Sequence, residues 1–317
     1  MKVTRDMVDK DLRGKYAAGR MLAAFFHTRR LSPLVLGFIG RAALGRNTRG
    51  LVCQQLYVPS RNGGAPIRVR VYRPTAAAGP LPVMLYLHGG GYFLGVPEHF
   101  GSIIRDFIKT VPCIILAPDY RKAVQAPYPA AFNDCYDTLL WIRDNAVSIG
   151  GRGDRFIVSG HSAGGGLAAA VSLKATDTGD AKIAFQMPIY PMIDDRQNSA
   201  SAAGNNAPVW DAKANRLAWS RYLDGVTNVP PYAAPARCTD YTKLPPTITY
   251  VGSAEPFRDE TKTYVANLRR ANIPVEFEIF DGAFHAFDMM VPNAPISKRA
   301  NRFLLENFRK FVRRYFP

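Results

Sequence analysis

A chain of 317 residues and 35.0 kDa is long enough for one large domain with an accessory segment, and too long for a peptide scaffold held by disulfides. Hydrophobic residues at 47% and charged residues at 21% are ordinary for a globular protein and exclude a disordered or collagen-like chain. The net charge of +16 raises nucleic acid or an anionic membrane as a partner, but the charges are scattered. The densest clusters, Arg29-Arg30 and the tail from Arg309 to Arg314, lie on no recognised nucleic-acid module and read as solvated faces. No nucleic-acid partner is therefore expected.

Cys53, Cys113, Cys135 and Cys238 form no C-x-x-C pair and stand far apart, which argues against both a disulfide framework and a zinc site. Residues 1–15 carry both charge signs and no apolar signal core. Leu31 to Ile39 is too short to span a bilayer and contains Pro33. The expectation is a cytoplasmic protein with no stable membrane insertion.

In chain order, residues 1–50 read as helical, with Met21, Leu22, Phe25 and Phe26 on one face and Pro33 between two helices. This segment is expected to lie over the core as the first part of a cap. Leu51 to Val58 and Ile67 to Tyr72 read as strands joined at Arg61-Asn62-Gly63-Gly64. The alternation of Ile67-Arg68-Val69-Arg70-Val71 predicts a half-exposed strand. From Leu81 onward the rhythm changes. Val83–Leu87, Cys113–Leu116, Phe156–Ser159, Ile183–Ile189, Thr247–Val251 and Phe277–Phe280 are apolar strand runs. Helical patterns, such as Ile103–Phe107 and Phe132–Ile142, separate the earlier ones. Continuously apolar strands alternating with helices predict a mostly parallel sheet covered on both faces, an α/β fold. Residues 194–236, with Trp210, Trp219 and Tyr222, break the rhythm and read as an inserted second part of the cap. The expected division is a cap from 1–50 and 194–236, and a core from 51–193 and 237–317.

The chemistry gathers around Phe156 to Ala170. An apolar strand leads into Gly160-His161-Ser162-Ala163-Gly164, a G-x-S-x-G pattern, and then into a run of small residues that reads as a helix. Strand, sharp turn and helix lift a serine hydroxyl clear of a sheet and aim helix N–H groups at it. Serine acyl transfer needs a base, an orienting acid and oxyanion donors besides the nucleophile. Of five histidines, His285 alone follows a late strand, in the loop Asp281 to Phe287. The acid is expected between Ser162 and His285, just past the strand ending at Val251. Glu255 is nearest the strand end, and Asp259 is the alternative, since Asp259 and Glu260 also read as first-turn residues of the next helix. His88-Gly89-Gly90-Gly91 follows an earlier strand, and its glycines allow close backbone approach to a ligand. The N–H groups of that loop and of Ala163 are the candidate oxyanion donors. Tyr92, Phe93, Trp210, Trp219, Phe284 and Phe287 are candidate pocket walls.

The ordered set His88-Gly-Gly-Gly91, Asp119-Tyr-Arg121, Tyr128-Pro-Ala-Ala131, Gly160-His-Ser-Ala-Gly-Gly165, Tyr190-Pro-Met-Ile-Asp194, Glu255-Pro-Phe-Arg-Asp-Glu260 and Phe284-His-Ala-Phe287 resembles the signature of the hormone-sensitive-lipase-like esterases, from about residue 65 to 290. The resemblance implies an α/β-hydrolase core with a helical cap, hydrolysis of small short-chain acyl esters, and neither cofactor nor metal. It puts the triad on Ser162, Glu255 and His285, and the oxyanion role on Gly90, Gly91 and Ala163, with Gly89 adjoining. Homodimers are common in the resembling family, so a homodimer is left open. The chain departs from the family at His161, where Asp is usual, at Glu255, where Asp is usual, and at Ala286, where Gly is usual. It also departs in Lys122 to Ala126. Competing readings are a small-molecule receptor on the same scaffold, an amidase or lactonase, and an interfacial lipase. His285 argues against the receptor. The lipase reading needs a long exposed apolar segment, and none is evident from the pattern.

Overall fold

The computed structural model describes residues 1–28 and 31–316. Its centre is an eight-stranded sheet in the order β1-β2-β4-β3-β5-β6-β7-β8. The strands are β1 (Val52–Val58), β2 (Ile67–Arg73), β3 (Leu81–Leu87), β4 (Ile114–Pro118), β5 (Gly151–His161), β6 (Ile183–Ile189), β7 (Thr247–Gly252) and β8 (Val275–Phe280). From β4 to β8 all neighbours are parallel, and β2 runs antiparallel to both β1 and β4. The apolar runs explain this layout. Val83 to Leu87 in β3 and Phe156 to Val158 in β5 are fully buried, which only helices on both faces can achieve. Those helices are α3 (Gly101–Thr110), α4 (Ala130–Asn145), α5 (Ala163–Thr178), α7 (Arg258–Arg270) and α9 (Pro295–Tyr315). On α9, Arg309, Lys310, Arg313 and Arg314 are exposed; Arg29 and Arg30 lie outside the described residues. Because β3, β5, β7 and β8 are parallel, the loops after them open at one edge of the sheet, where ligand sites of such sheets collect.

Three expectations change here. The alternating strand β2 is largely buried, Arg70 included. Its guanidinium lies 3.5 Å from Glu98, which also binds Arg68 at 2.8 Å, so a charge pair takes the place of solvent. The described residues among the first 50 form two single turns and two helices, α1 (Tyr16–Phe26) and α2 (Leu31–Ala43). Pro33 stands in the first turn of α2 rather than between helices, a position where a missing N–H costs no helical bond. On α1 the buried positions are Gly19 and Ala23, while Met21 is exposed. The third concerns the missing apolar surface segment. Helix α2 exposes Leu34, Val35, Phe38 and Ile39.

Residues before α1 reach the core, since Val3, Val8 and Leu12 are buried and the Asp9 N–H donates to the Gly282 carbonyl at 3.0 Å. Helix α6 (Ala212–Tyr222) lies in the insertion. Its N-cap Asp211 accepts from the N–H groups of Lys213 and Ala214, which contributes about 1 kcal/mol to such a helix. The same carboxylate meets Nε2 of His27, the residue just after α1, at 2.9 Å. The Val209 N–H donates to the Gly19 carbonyl at 2.8 Å, and the Phe26 and Trp210 rings lie 5.5 Å apart. The N-terminal helix and the insertion thus pack on each other over the open edge of the sheet.

Candidate active site

Strand β5 ends at His161, and α5 begins at Ala163. Ser162, between them, has φ 59° and ψ −122°, a strained conformation for a non-glycine residue. The strain is sustained by close packing. A Cβ on Gly160 would collide with the Gly164 carbonyl, and one on Gly164 with the Leu87 carbonyl. The turn turns the Ser162 hydroxyl toward the loop after β8, where His285 Nε2 lies 2.8 Å from Oγ. His285 Nδ1 lies 2.5 Å from Oε2 of Glu255, on the loop after β7. The other carboxylate oxygen of Glu255 accepts from the Gly252 N–H at 2.7 Å, so both oxygens are held. Glu255 is completely buried and His285 nearly so.

Asp259 is not part of this series. Its Oδ2 accepts from the Ser201 N–H at 2.7 Å and its Oδ1 from Arg258 at 2.8 Å. Burial pushes its carboxyl up, but the bonds from Arg258 and Ser201 outweigh it and hold it below the usual carboxylate range. Of the two candidate acids, the structure brings Glu255 to His285 and keeps Asp259 away. Asp259 and Glu260 do stand in the first turn of α7, and Glu260 has a further contact. It is buried, accepts from the Ile193 and Asp194 N–H groups at 2.9 and 3.4 Å, and so ties the start of the insertion to the acid loop. Burial drives its carboxyl well above the usual range.

The glycine loop after β3 adopts backbone angles that demand glycine, with φ 129° at Gly90 and 58° at Gly91. The Gly90 carbonyl accepts from the Phe93 and Leu94 N–H groups at 3.1 and 2.9 Å, closing a tight turn. Gly89 lies against the Ser162 side chain. His88 anchors the loop: Nδ1–H donates to the Gly89 carbonyl at 2.8 Å, and the ring stacks on Tyr120 at 4.2 Å. Ala163 opens α5, where helix geometry leaves its N–H without an intrahelical acceptor.

Gly89, Gly90, Gly91, Ser162 and His285 line one cavity of about 300 Å³. Residues 84–289 match the family described as the alpha/beta hydrolase fold. The chain belongs to that family, in its hormone-sensitive-lipase-like branch. Esterase LipI of Mycobacterium tuberculosis strain H37Rv is 34% identical, with 70% of this chain and 71% of the relative covered. Carboxylesterase NlhH of the same species (strain CDC 1551) is 33% identical, with 74% and 76% covered. A solved bacterial heroin esterase superposes with a TM-score of 0.87 at 32% identity, covering 98% of this chain and 99% of that one.

Side chains as well as the glycine loop form the walls of the cavity. Of the aromatic residues singled out from sequence, Trp210 lines it. Tyr92 instead turns under the loop, donates to the Met192 carbonyl at 2.7 Å and stacks on Tyr222. Phe284 and Phe287 are core. The walls come from Leu22 and Phe26 on α1, Phe100, Val209, and Met289 and Met290 on α8 (Phe287–Met290). Leu22 and Phe26 belong to the apolar face read from the sequence, but no local pattern marks the set as a pocket, because it converges from four separate stretches. Two further residues brace His285. The Tyr190 ring meets it edge-on at 4.9 Å, and the Tyr190 hydroxyl donates to Asp288 at 3.1 Å. Tyr250 also donates to Asp288, at 2.7 Å. Tyr190 was legible in the family-like run Tyr190–Asp194; Asp288 carried no signal.

His161 fills the place where Asp is usual. It is buried, with Nδ1 2.9 Å from the Tyr86 hydroxyl. Burial, and then the nearby His285, bring its pKa from 6.5 down to about 3. The fold therefore favours the neutral ring. That stability is present above the unfolded value and is lost as pH falls from 6.5 towards 3. Between pH 7 and 5 the loss from His161 comes to about 2 kcal/mol. Buried His88, also driven well down, acts in the same direction. Urea unfolding at both pH values should show the decrease shrinking by about that amount in His161→Asn. An unchanged pH dependence in the variant would show that His161 does not titrate on unfolding.

Proposed function

We propose that this protein is a carboxylesterase that cleaves short-chain acyl esters through an acyl-enzyme on Ser162. The observation that carries the reading is the unbroken series Ser162 Oγ, His285 and Glu255, with contacts of 2.8 and 2.5 Å, at the wall of the cavity. The names of the relatives support the same activity.

The ester carbonyl sits against the N–H groups of Gly90, Gly91 and Ala163, with Gly89 adjoining. His285 Nε2 takes the Ser162 proton while Oγ attacks the carbonyl carbon. The negative charge that develops on the carbonyl oxygen is met by those N–H groups, each typically worth about 3–4 kcal/mol in the transition state. Glu255 fixes the His285 tautomer that leaves Nε2 free to accept, and it stabilises the imidazolium that forms. The alcohol departs with the proton from Nε2. Water then repeats the sequence on the acyl-enzyme and releases the acid. A protonated His285 has no lone pair for Ser162, so the rate falls on the acid side.

Residues 1–50 and 194–236 act as the cap, closing the cavity through Phe26 and Trp210 over a core of 51–193 and 237–317. Cytoplasmic location belongs to the same proposal, supported by four cysteines that stand free; so does the homodimer that the resemblance allows.

The test is a series of p-nitrophenyl esters. The cavity of about 300 Å³ must hold both acyl and alcohol parts. Acetate and butyrate esters should therefore exceed the palmitate ester in kcat/KM by about a hundredfold. Faster turnover of the long-chain ester would defeat the short-chain reading, and a wild type inert on acetate and butyrate would defeat the esterase reading.

A further inference from the structure

Helix α2 presents an apolar stripe to solvent. Leu34 and Phe38 are 71% and 75% exposed, and Val35 and Ile39 40% and 48%. The spacing i, i+1, i+4, i+5 puts all four on one side of the helix. On the other side of the helix, exposed Leu44 and Val124 line a groove together with Gly37, Gly40 and Arg41. Scattered exposed apolar residues need no explanation, but a contiguous helical face does.

Along the sequence, the charge on either side of this helix is one-sided. From Leu12 to Pro97 the chain contains twelve Arg or Lys residues and no Asp or Glu. This stretch therefore supplies +12 of the net +16, so the charge is less evenly scattered than the dense clusters suggested. The first acid after Asp11 is Glu98, which is buried and bound to Arg68. Arg41, on α2, and Arg46 and Arg49, just beyond it, are exposed.

We infer that α2 docks this protein reversibly onto an anionic phospholipid surface. An amphipathic helix with an apolar face and flanking cations lies in the plane of such a surface, its apolar side chains below the headgroups and its cations among the phosphates. The charge decides between occupants. A second copy would bring the same basic flank against itself, whereas an anionic surface complements it. No helix among the described residues is long and apolar enough to cross a membrane, so the contact is peripheral. Docking would also set the esterase cavity close to the surface. Leu94 and Gly95 form a wall shared by the cavity and the groove beside α2, and Gly40 of α2 packs on Val96. The inference does not depend on the esterase reading.

The experiment is flotation with two vesicle types, phosphatidylcholine alone and an equimolar mixture with phosphatidylserine. The wild type should float with the mixed vesicles at low salt, lose binding as salt rises, and bind the neutral vesicles poorly. Leu34→Asp/Phe38→Asp should weaken the apparent Kd for mixed vesicles at least roughly tenfold, with soluble p-nitrophenyl acetate turnover unchanged. Should that variant fail to fold, Arg46→Glu/Arg49→Glu tests the same surface through the charge. A wild type that stays with the lipid-free control overturns the proposal. So does a well-folded double variant that floats like the wild type. A concentration-dependent dimer that the double substitution abolishes, without lipid binding by the wild type, would show that a second copy covers α2 and would also overturn it.

Discussion

Replacing Ser162 with Ala is expected to lower kcat/KM for p-nitrophenyl acetate by about five orders of magnitude and leave the fold intact. The two parts of this expectation have separate physical grounds. The strain at residue 162, φ 59°, belongs to the backbone and is imposed by the packing of Gly160 and Gly164. Alanine keeps the same Cβ and meets the same constraint, so the turn survives. The Ser162 N–H and carbonyl remain to bond Ile189, Gly166 and Met192 as before. What disappears is Oγ, the atom 2.8 Å from His285 Nε2. Without it no acyl-enzyme forms, and the residual rate is that of water activated in an oxyanion site. The measurement is steady-state hydrolysis beside near-ultraviolet circular dichroism. Activity within tenfold of the wild type, with native dichroism, would mean another nucleophile and end the Ser162 assignment.

Much of this site could be read from local pattern because strand ends and turns are local events. The run Phe156–Val158 followed by Gly160–Gly164 announces a strand, a tight turn and a helix within a dozen residues, and the structure has β5 ending at His161 and α5 beginning at Ala163. The apolar strand Val83–Leu87 before the glycine loop is equally explicit. What failed to show was decided by distant partners. Arg70 alternates as if exposed, yet Glu98, 28 positions later (98 − 70 = 28), makes burial tolerable. Met21 is apolar and lies in a helix, but the side of α1 that meets the insertion is set by Pro208 and Val209, and these select Gly19 instead. The cavity walls depend on four stretches meeting, and the exposed side of α2 depends on nothing meeting it. Periodicity marks a helix as amphipathic; it does not say whether the core, a partner or a lipid surface receives the apolar side.

The position of the acid sets up the second large effect. Glu255→Gln is expected to cost about 10³–10⁴-fold in kcat, and Asp259→Asn no more than about threefold. Glutamine is nearly isosteric, so the loss is electronic and not a matter of space. In the native site both carboxylate oxygens accept, Oε1 from the Gly252 N–H and Oε2 from His285 Nδ1. An amide has one acceptor and one donor. If its oxygen stays with Gly252, the NH₂ group faces Nδ1. The imidazole then carries its proton on Nε2, where it cannot take one from Ser162. If the amide turns over, the NH₂ opposes the buried Gly252 N–H, at a cost of about 1–3 kcal/mol, so the first arrangement wins. Even a correctly held imidazole would lack the negative charge that stabilises its protonated form. Asp259 has no such leverage. Its oxygens serve Ser201 and Arg258, and the asparagine variant should lose about 1 kcal/mol of stability with the triad untouched. The extra methylene of glutamate relative to the family's usual aspartate is taken up by the loop, since the His285 contact is already 2.5 Å. Glu255→Asp should therefore pull the carboxylate away from one of its two partners, with activity between that of the wild type and Glu255→Gln. Measuring kcat and KM for all three variants separates the outcomes. Loss confined to kcat in the Glu255 variants fits an orienting acid, and an inactive Asp259→Asn beside an active Glu255→Gln would move the acid to Asp259.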